Sequence, residues 1–161
     1  MIYVECKPDF TLVNSITDIP KREIIHAGNK SELCKKLEKE KNCMGLVDED
    51  PWSGQPSYIK RMRKKDGLSR YELKVLHDNS RDNNLVVICP RLEEWILRTA
   101  KEAGIDVRRY NLPNNDRKFR EIINIKIDNF ERLIGDLKDH NKLKTLRKLL
   151  ERRKYYKKSF T

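Results

Sequence analysis

Apolar residues in this chain fall into short blocks, and the spacing inside each block predicts its element. "MIYVEC" (1–6), "KREIIHA" (21–27), "CMGLVDED" (43–50) and "YELKVLHD" (71–78) are β-branched or alternating, as strands are. "NLVVICP" (84–90) is almost unbroken apolar sequence, the mark of a central strand covered on both faces. Helical periods lie between them. "KPDFTLVNSI" reads as a loop feeding a short helix, and "NKSELCKKLEKEKN" (29–42) sets Leu33 and Leu37 one turn apart, with Asn29 or Ser31 as N-cap. "RLEEWILRTAKEAG" (91–104) is amphipathic and closes on Gly104. Segment 51–67, "PWSGQPSYIKRMRKKDG", is punctuated by Pro and Gly and reads as a mobile surface loop. Strands alternating with helices predict an α/β fold with a mostly parallel, Rossmann-like sheet and right-handed crossovers.

From Asn111 onward the pattern changes. "LPNN" is a linker-like break, and beyond it the only strand-like signal is a β-branched patch at Ile122 to Ile127. Ile123, Ile127, Phe130, Ile134 and Leu137 fall at helical spacing, as do Leu143, Leu146, Leu149 and Leu150. The expected organisation is an α/β domain over 1–110 and a helical extension over 111–161. That extension reads as a helical hairpin with a basic tail, packed on the sheet domain or serving a protein partner or a second copy of the chain.

Composition narrows the classes. The chain has 161 residues, 37% apolar and 38% charged, enough for one domain with a compact core and a charged skin. Lys and Arg outnumber Asp and Glu 36 to 25, a net charge of +11, which makes a polyanion the default partner. The excess is uneven: Lys60, Arg61, Arg63, Lys64 and Lys65 form one block, and the tail carries Arg152, Arg153, Lys157 and Lys158 beside Tyr155 and Tyr156. Both blocks are candidate nucleic-acid contacts; frayed helix ends also favour cations. The four cysteines, Cys6, Cys34, Cys43 and Cys89, have no zinc-ligand spacing and read as free thiols in a reducing cytoplasm. No leader-like segment and no run of 18 apolar residues occurs, so no membrane partner is expected. The glycines make neither a P-loop nor a dinucleotide fingerprint, and His26, His77 and His140 define no triad.

Against this basic background, "GLVDEDPW" (45–52) gathers three acids behind an apolar strand. In an extended segment, residues two apart share a face, so Asp48 and Asp50 would converge while Glu49 points away and is expected to be dispensable. Glu5 ends the first strand in the same way, and ligands of open α/β sheets collect at strand carboxyl ends. If strands one and three are neighbours, Glu5, Asp48 and Asp50 would make an all-oxygen site suited to Mg²⁺ or Mn²⁺. Acids after a strand also serve simply as turn and cap formers, and "DEDP" suits that role.

The motifs resemble those of Toprim domains. "YVECKPD" (3–9) is similar to the family's first motif, with Glu5 in the place of its glutamate and Asp9 in that of the acid four residues on; "GLVDEDP" is similar to its second, through Asp48 and Asp50. "CPRLEEWIL" (89–97) resembles a segment of small stand-alone Toprim-like proteins and of the nuclease part of the overcoming-lysogenization-defect family, through Pro90, Leu92, Glu93 and Trp95. The resemblance implies a Toprim-like sheet and a metal site of Glu5, Asp48, Asp50 and Asp9. It also implies catalytic roles for Glu5 and Glu93, and a core role for Trp95. Cys6 stands where the family has glycine. The expected function is a Mg²⁺- or Mn²⁺-dependent phosphodiester-processing protein, a small nuclease; the alternative is a non-catalytic nucleic-acid- or protein-binding adaptor on a degenerate Toprim fold.

Overall fold

A computed structural model describes residues 1–65 and 67–159, with side chains as far as Arg152. Its elements are β1 (Ile2–Val4), α1 (Lys7–Ile16), β2 (Ile24–His26), α2 (Lys30–Lys39), β3 (Met44–Asp48), α3 (Ser57–Arg61), β4 (Arg63–Lys65), β5 (Leu73–Asp78), β6 (Asn83–Ile88), α4 (Leu92–Glu102), α5 (Asp116–Ile123), α6 (Ile127–Leu137) and α7 (Asn141–Ser159). The strands form one six-stranded sheet in the order β2-β1-β3-β6-β5-β4. β1 runs parallel to β2 and β3, and β3 parallel to β6, with Val4 opposite Leu46 and Asp48 opposite Ile88. The fold is therefore the α/β class that the alternation of periods predicts.

The parallel expectation stops at β6. β5 pairs antiparallel with β6, and β4 antiparallel with β5. The physical reason is connection length: only residues 79–82 separate β5 from β6, which is enough for a hairpin and far short of a crossover. Two other expectations are corrected. Segment 51–67 is not a bare loop, because it holds α3 and β4, and Tyr58 of α3 is 2% exposed with its hydroxyl donating to Asp78 and accepting from Asn83. Helix α1 begins at Lys7 and takes in all of "KPDFTLVNSI" with no loop inside that segment, because Pro8 in the first turn is compatible with a helix start.

Alternation along each strand sorts the core into two layers. Ile2, Val4, Met44, Leu46, Val86 and Ile88 face α1 and α4 to α7. Tyr3, Val47, Leu85 and Val87 face α2 and α3, where Leu33, Cys34, Leu37 and Tyr58 cover them. Gly45 lets α2 sit close: a Cβ there would stand 2.8 Å from Leu85 Cδ1 and 3.0 Å from Leu33 Cδ2, inside ordinary contact distance.

The C-terminal region forms three helices rather than a two-helix hairpin. The chain breaks after Ile123, where the amides of Ile125 and Lys126 both donate to the Ile122 carbonyl; Ile125 is 78% exposed there. The β-branched patch that looked strand-like is this joint, since β-branched residues crowd a helix interior and carry less penalty at its ends. Phe119, Phe130, Ile134, Leu137, Leu143 and Leu146 are buried in the same apolar layer as α1 and α4. Lys142 is 3% exposed, and its ammonium is held by Glu72 at 2.8 Å and Glu102 at 3.1 Å, which fastens α7 to the sheet and to α4. No helix among the described residues is long and apolar enough to cross a membrane.

Candidate acidic site

Parallel pairing of β1 with β3 and β3 with β6 brings three strand carboxyl ends to one edge of the sheet. Glu5 follows β1, Asp48 ends β3, and Glu93 lies in the first turn of α4 shortly after β6. Asp9 lies in the first turn of α1. The crevice is thus flanked by two helix N-termini, whose free amides and positive dipole ends suit carboxylates. Glu5 Oε2 accepts from the Asp48 amide at 3.2 Å, and Asp48 Oδ1 accepts from the Leu92 amide at 3.0 Å. Asp9 is 3% exposed and takes a bond from Cys6 Sγ at 3.2 Å.

Glu5, Asp9 and Asp48 are all raised above their ordinary carboxylate values. Burial is the first cause that pushes Asp48 up to about 9, followed by the charges of Asp9, Glu93 and Glu5. Burial likewise pushes Asp9 up to about 7, with Glu5 and Glu93 adding to it and the Cys6 thiol opposing it. Glu5 is raised by burial, against the Asp48 amide and the Lys30 ammonium, which favour its charged form. The Asp9 charge thus disfavours ionisation of Asp48, and interacting carboxyls of this kind titrate together rather than independently. The Cys6 thiol is raised by burial and by Asp9, which makes it a hydrogen-bond donor rather than a thiolate.

Asp50 departs from the extended-segment expectation. β3 ends at Asp48, and Asp50 takes a left-handed φ of 47°. Its Oδ1 is clamped by Arg91 Nε at 3.1 Å and Nη2 at 2.8 Å, and its Oδ2 accepts from Ser53 Oγ at 2.8 Å. The Ser53 hydroxyl and Arg91 hold its carboxyl below the usual range. Glu49 does face away from the acids, yet it is engaged: its carboxylate pairs with Lys74, and its carbonyl accepts from Lys30 at 3.3 Å and Gln55 at 3.1 Å. Among the described residues, no group of three or more His, Cys, Asp or Glu side chains is drawn together tightly enough to form a preassembled metal cage.

The basic candidates divide. Arg63, Lys64 and Lys65 form the exposed edge strand β4, and Lys60 is exposed on α3. Arg61 is exposed and pairs with Glu38 at 3.6 Å. Arg152 is exposed on α7, while the side chains of Arg153, Lys157 and Lys158, with Tyr155 and Tyr156, lie outside the described residues. Of the histidines, His26 stacks on Phe10 with ring centroids 4.9 Å apart, and His77 Nδ1 is 2.8 Å from Asn84 Oδ1. None of the described cysteines is paired.

Sequence reading missed Lys30, Lys74, Arg91 and Gln55 as parts of this region. Arg91 had one available signal, its position next to the acid-rich helix start; the other three reach the crevice only through tertiary packing. Beside Asp48 a cavity of about 380 Å³ opens on the α2–α3 side of the sheet, lined by Val47, Pro51, Gln55, Lys64, Lys74 and Leu76 among others. No known protein family, no curated protein and no solved structure matches this chain.

Proposed function

We propose that this chain is a Toprim-like, Mg²⁺- or Mn²⁺-dependent nuclease that acts on phosphodiester bonds of nucleic acid. The observation that carries the reading is the convergence of Glu5 and Asp48: two acids from separate motifs, 43 residues apart, lie at the carboxyl ends of adjacent parallel strands, where Glu5 Oε2 accepts from the Asp48 main-chain amide at 3.2 Å and the Glu5 charge helps raise the Asp48 carboxyl. The order of "YVECKPD", "GLVDEDP" and "CPRLEEWIL" matches the order in which the sheet gathers Glu5, Asp48 and Glu93.

The donor chemistry fits a hard divalent cation. Glu5, Asp48, Asp9 and Glu93 offer carboxylate oxygens in a crevice where burial makes their joint ionisation costly, and a cation would relieve that cost. Glu5, Asp48 and Asp9 would hold it, while Asp50 is taken up by Arg91 and Ser53. When bound, such an ion polarises phosphate and lowers the pKa of water. Glu93, at the positive end of α4, takes the proton of the attacking water, or Glu5 does so if Glu93 binds the ion. Exposed Arg63, Lys64 and Lys65 would carry backbone contacts.

One observation favours the second reading, a non-catalytic adaptor. Cys6 occupies the position of the family glycine and spends a hydrogen bond on Asp9, which is a structural use of that acid. Incubation of single-stranded and duplex DNA and RNA with Mn²⁺, Mg²⁺ or EDTA separates the two. Cleavage with metal alone, lost in Asp48→Asn and Glu93→Gln, is the expected result. If no substrate is cut and Mn²⁺ leaves the melting temperature unchanged, catalysis is lost and binding alone decides for the adaptor.

A further inference from the structure

We infer that the cavity beside Asp48, together with Trp52, which follows its lining residue Pro51 in the chain, is a subsite for one unpaired nucleotide, so that the substrate class is single-stranded nucleic acid; this rests on the nuclease reading above. Trp52 is 88% exposed, the largest exposure of any big apolar side chain among the described residues. Its loop is nonetheless firmly built. Gln55 Nε2 donates to the carbonyls of Glu49 at 3.1 Å, Asp50 at 3.2 Å and Ser53 at 3.2 Å, and the Ser53 amide donates to the Asp50 carbonyl at 3.0 Å. The Arg91 clamp on Asp50 ties the same loop to the start of α4. A closed turn that holds an indole out in water gains nothing from it in folding, because burial and not exposure of apolar area stabilises. Its use lies in what it contacts.

Pro51, next to Trp52, lines the cavity, and so does Asp48 of the acidic crevice. The volume of about 380 Å³ falls at the small-ligand end of binding cavities, the scale of a single nucleotide. Its walls combine an apolar floor, Val47, Val87 and Leu76, with the exposed Lys64 and the Lys74–Glu49 ion pair, while the Gln55 amide braces the loop. An apolar floor suits a base face, and the Lys64 ammonium suits a flanking phosphate. A protein partner is the other class an exposed indole serves. The adjacent charges decide against it: the neighbouring edge strand is Arg63-Lys64-Lys65, all exposed, on a chain of net charge +11. Paired bases in a duplex keep their faces stacked on each other, so indole stacking selects unpaired strands.

The test is binding in EDTA, which separates it from cleavage. The full chain is titrated with oligothymidylate and oligouridylate of about a dozen nucleotides, and with a duplex of equal length. Trp95 is 0% exposed, so quenching of tryptophan emission reports Trp52. Quenching by the single strands is expected; affinity, read for every variant from the anisotropy of an end-labelled oligonucleotide, is expected to be about tenfold weaker in Trp52→Ala and largely kept in Trp52→Phe, with duplex affinity unchanged in both. Lys64→Gln is expected to weaken single-strand binding without removing the quench. Equal losses on duplex and single strand, or no loss in Trp52→Ala, overturn the subsite. An emission change driven by protein concentration and not by oligonucleotide assigns Trp52 to contact between copies of the chain, and also overturns it. Trp52-dependent binding without metal-dependent cleavage would leave the subsite standing and sink the nuclease reading; cleavage that Trp52→Ala leaves unaltered, with unchanged binding, would do the reverse.

Discussion

Asp48 is the residue on which the site turns. It closes the β1–β3 contact through its amide, caps α4 through Oδ1, and lies among acids that raise its affinity for a proton. Asp48→Asn keeps an oxygen that can accept from Leu92 and removes the charge. Metal-dependent cleavage is expected to fall by at least about a hundredfold, while unfolding in EDTA at pH 8 becomes harder by about 1–2 kcal/mol, since folding no longer has to put a proton on a carboxyl that is ionised in the unfolded chain. The sign of the pH dependence follows from the same shifts. Asp9 and Asp48 have folded values of about 7 and about 9, above the ordinary carboxylate range. The folded chain therefore holds protons that the unfolded chain has released, and stability is highest below the ordinary range and is lost as pH rises through those two values. Urea midpoints measured in EDTA from pH 5 to 9 should decline, and Asp48→Asn should flatten the alkaline part of that decline. A rising midpoint would contradict the buried, repulsive arrangement.

At the scale of elements, the attachment of α7 is a specific contact rather than a generic apolar one. Lys142 is nearly buried between Glu72 and Glu102, and Arg98 also pairs with Glu72. Because both acids keep some exposure, Lys142→Met is expected to cost about 2 kcal/mol, less than for a fully buried pair. Circular dichroism during urea unfolding would check it; a neutral result would mean that Leu143, Leu146 and Leu150 alone hold α7. Gly45→Ala addresses the other layer: the added methyl meets Leu85 and Leu33 at 2.8 and 3.0 Å, and an overpacking cost of about 1–3 kcal/mol is expected in the same measurement.

For the whole molecule, the net charge of +11 places long-range attraction in the hands of many residues, while β4 concentrates three cations on one edge. If Arg63, Lys64 and Lys65 each neutralise one phosphate, replacing all three by Gln should reduce the slope of log affinity against log salt by about 2 on single strands. An unaltered slope would move the contact surface elsewhere, with exposed Arg152 of α7 the next position to test.

Sequence by itself determined five of the six strands and the periods of most of the helices, though not α3 and β4, because alternation and 3.6-residue periods are local consequences of burying one face. It also marked Glu5, Asp48 and Glu93 as strand-end or helix-start acids. Tertiary structure alone decided that β1 and β3 are neighbours, that β4 and β5 run antiparallel, and that the C-terminal region breaks into three helices. It redirected Asp50 to Arg91, because a left-handed φ ends the period-two rule on which the expected Asp48–Asp50 pairing depended. It also brought Lys30, Lys74 and Gln55, 19, 25 and 6 residues from Glu49, onto that one residue. Periodicity reports which face a residue takes; which other faces it meets depends on strand order, and strand order is written in no single segment.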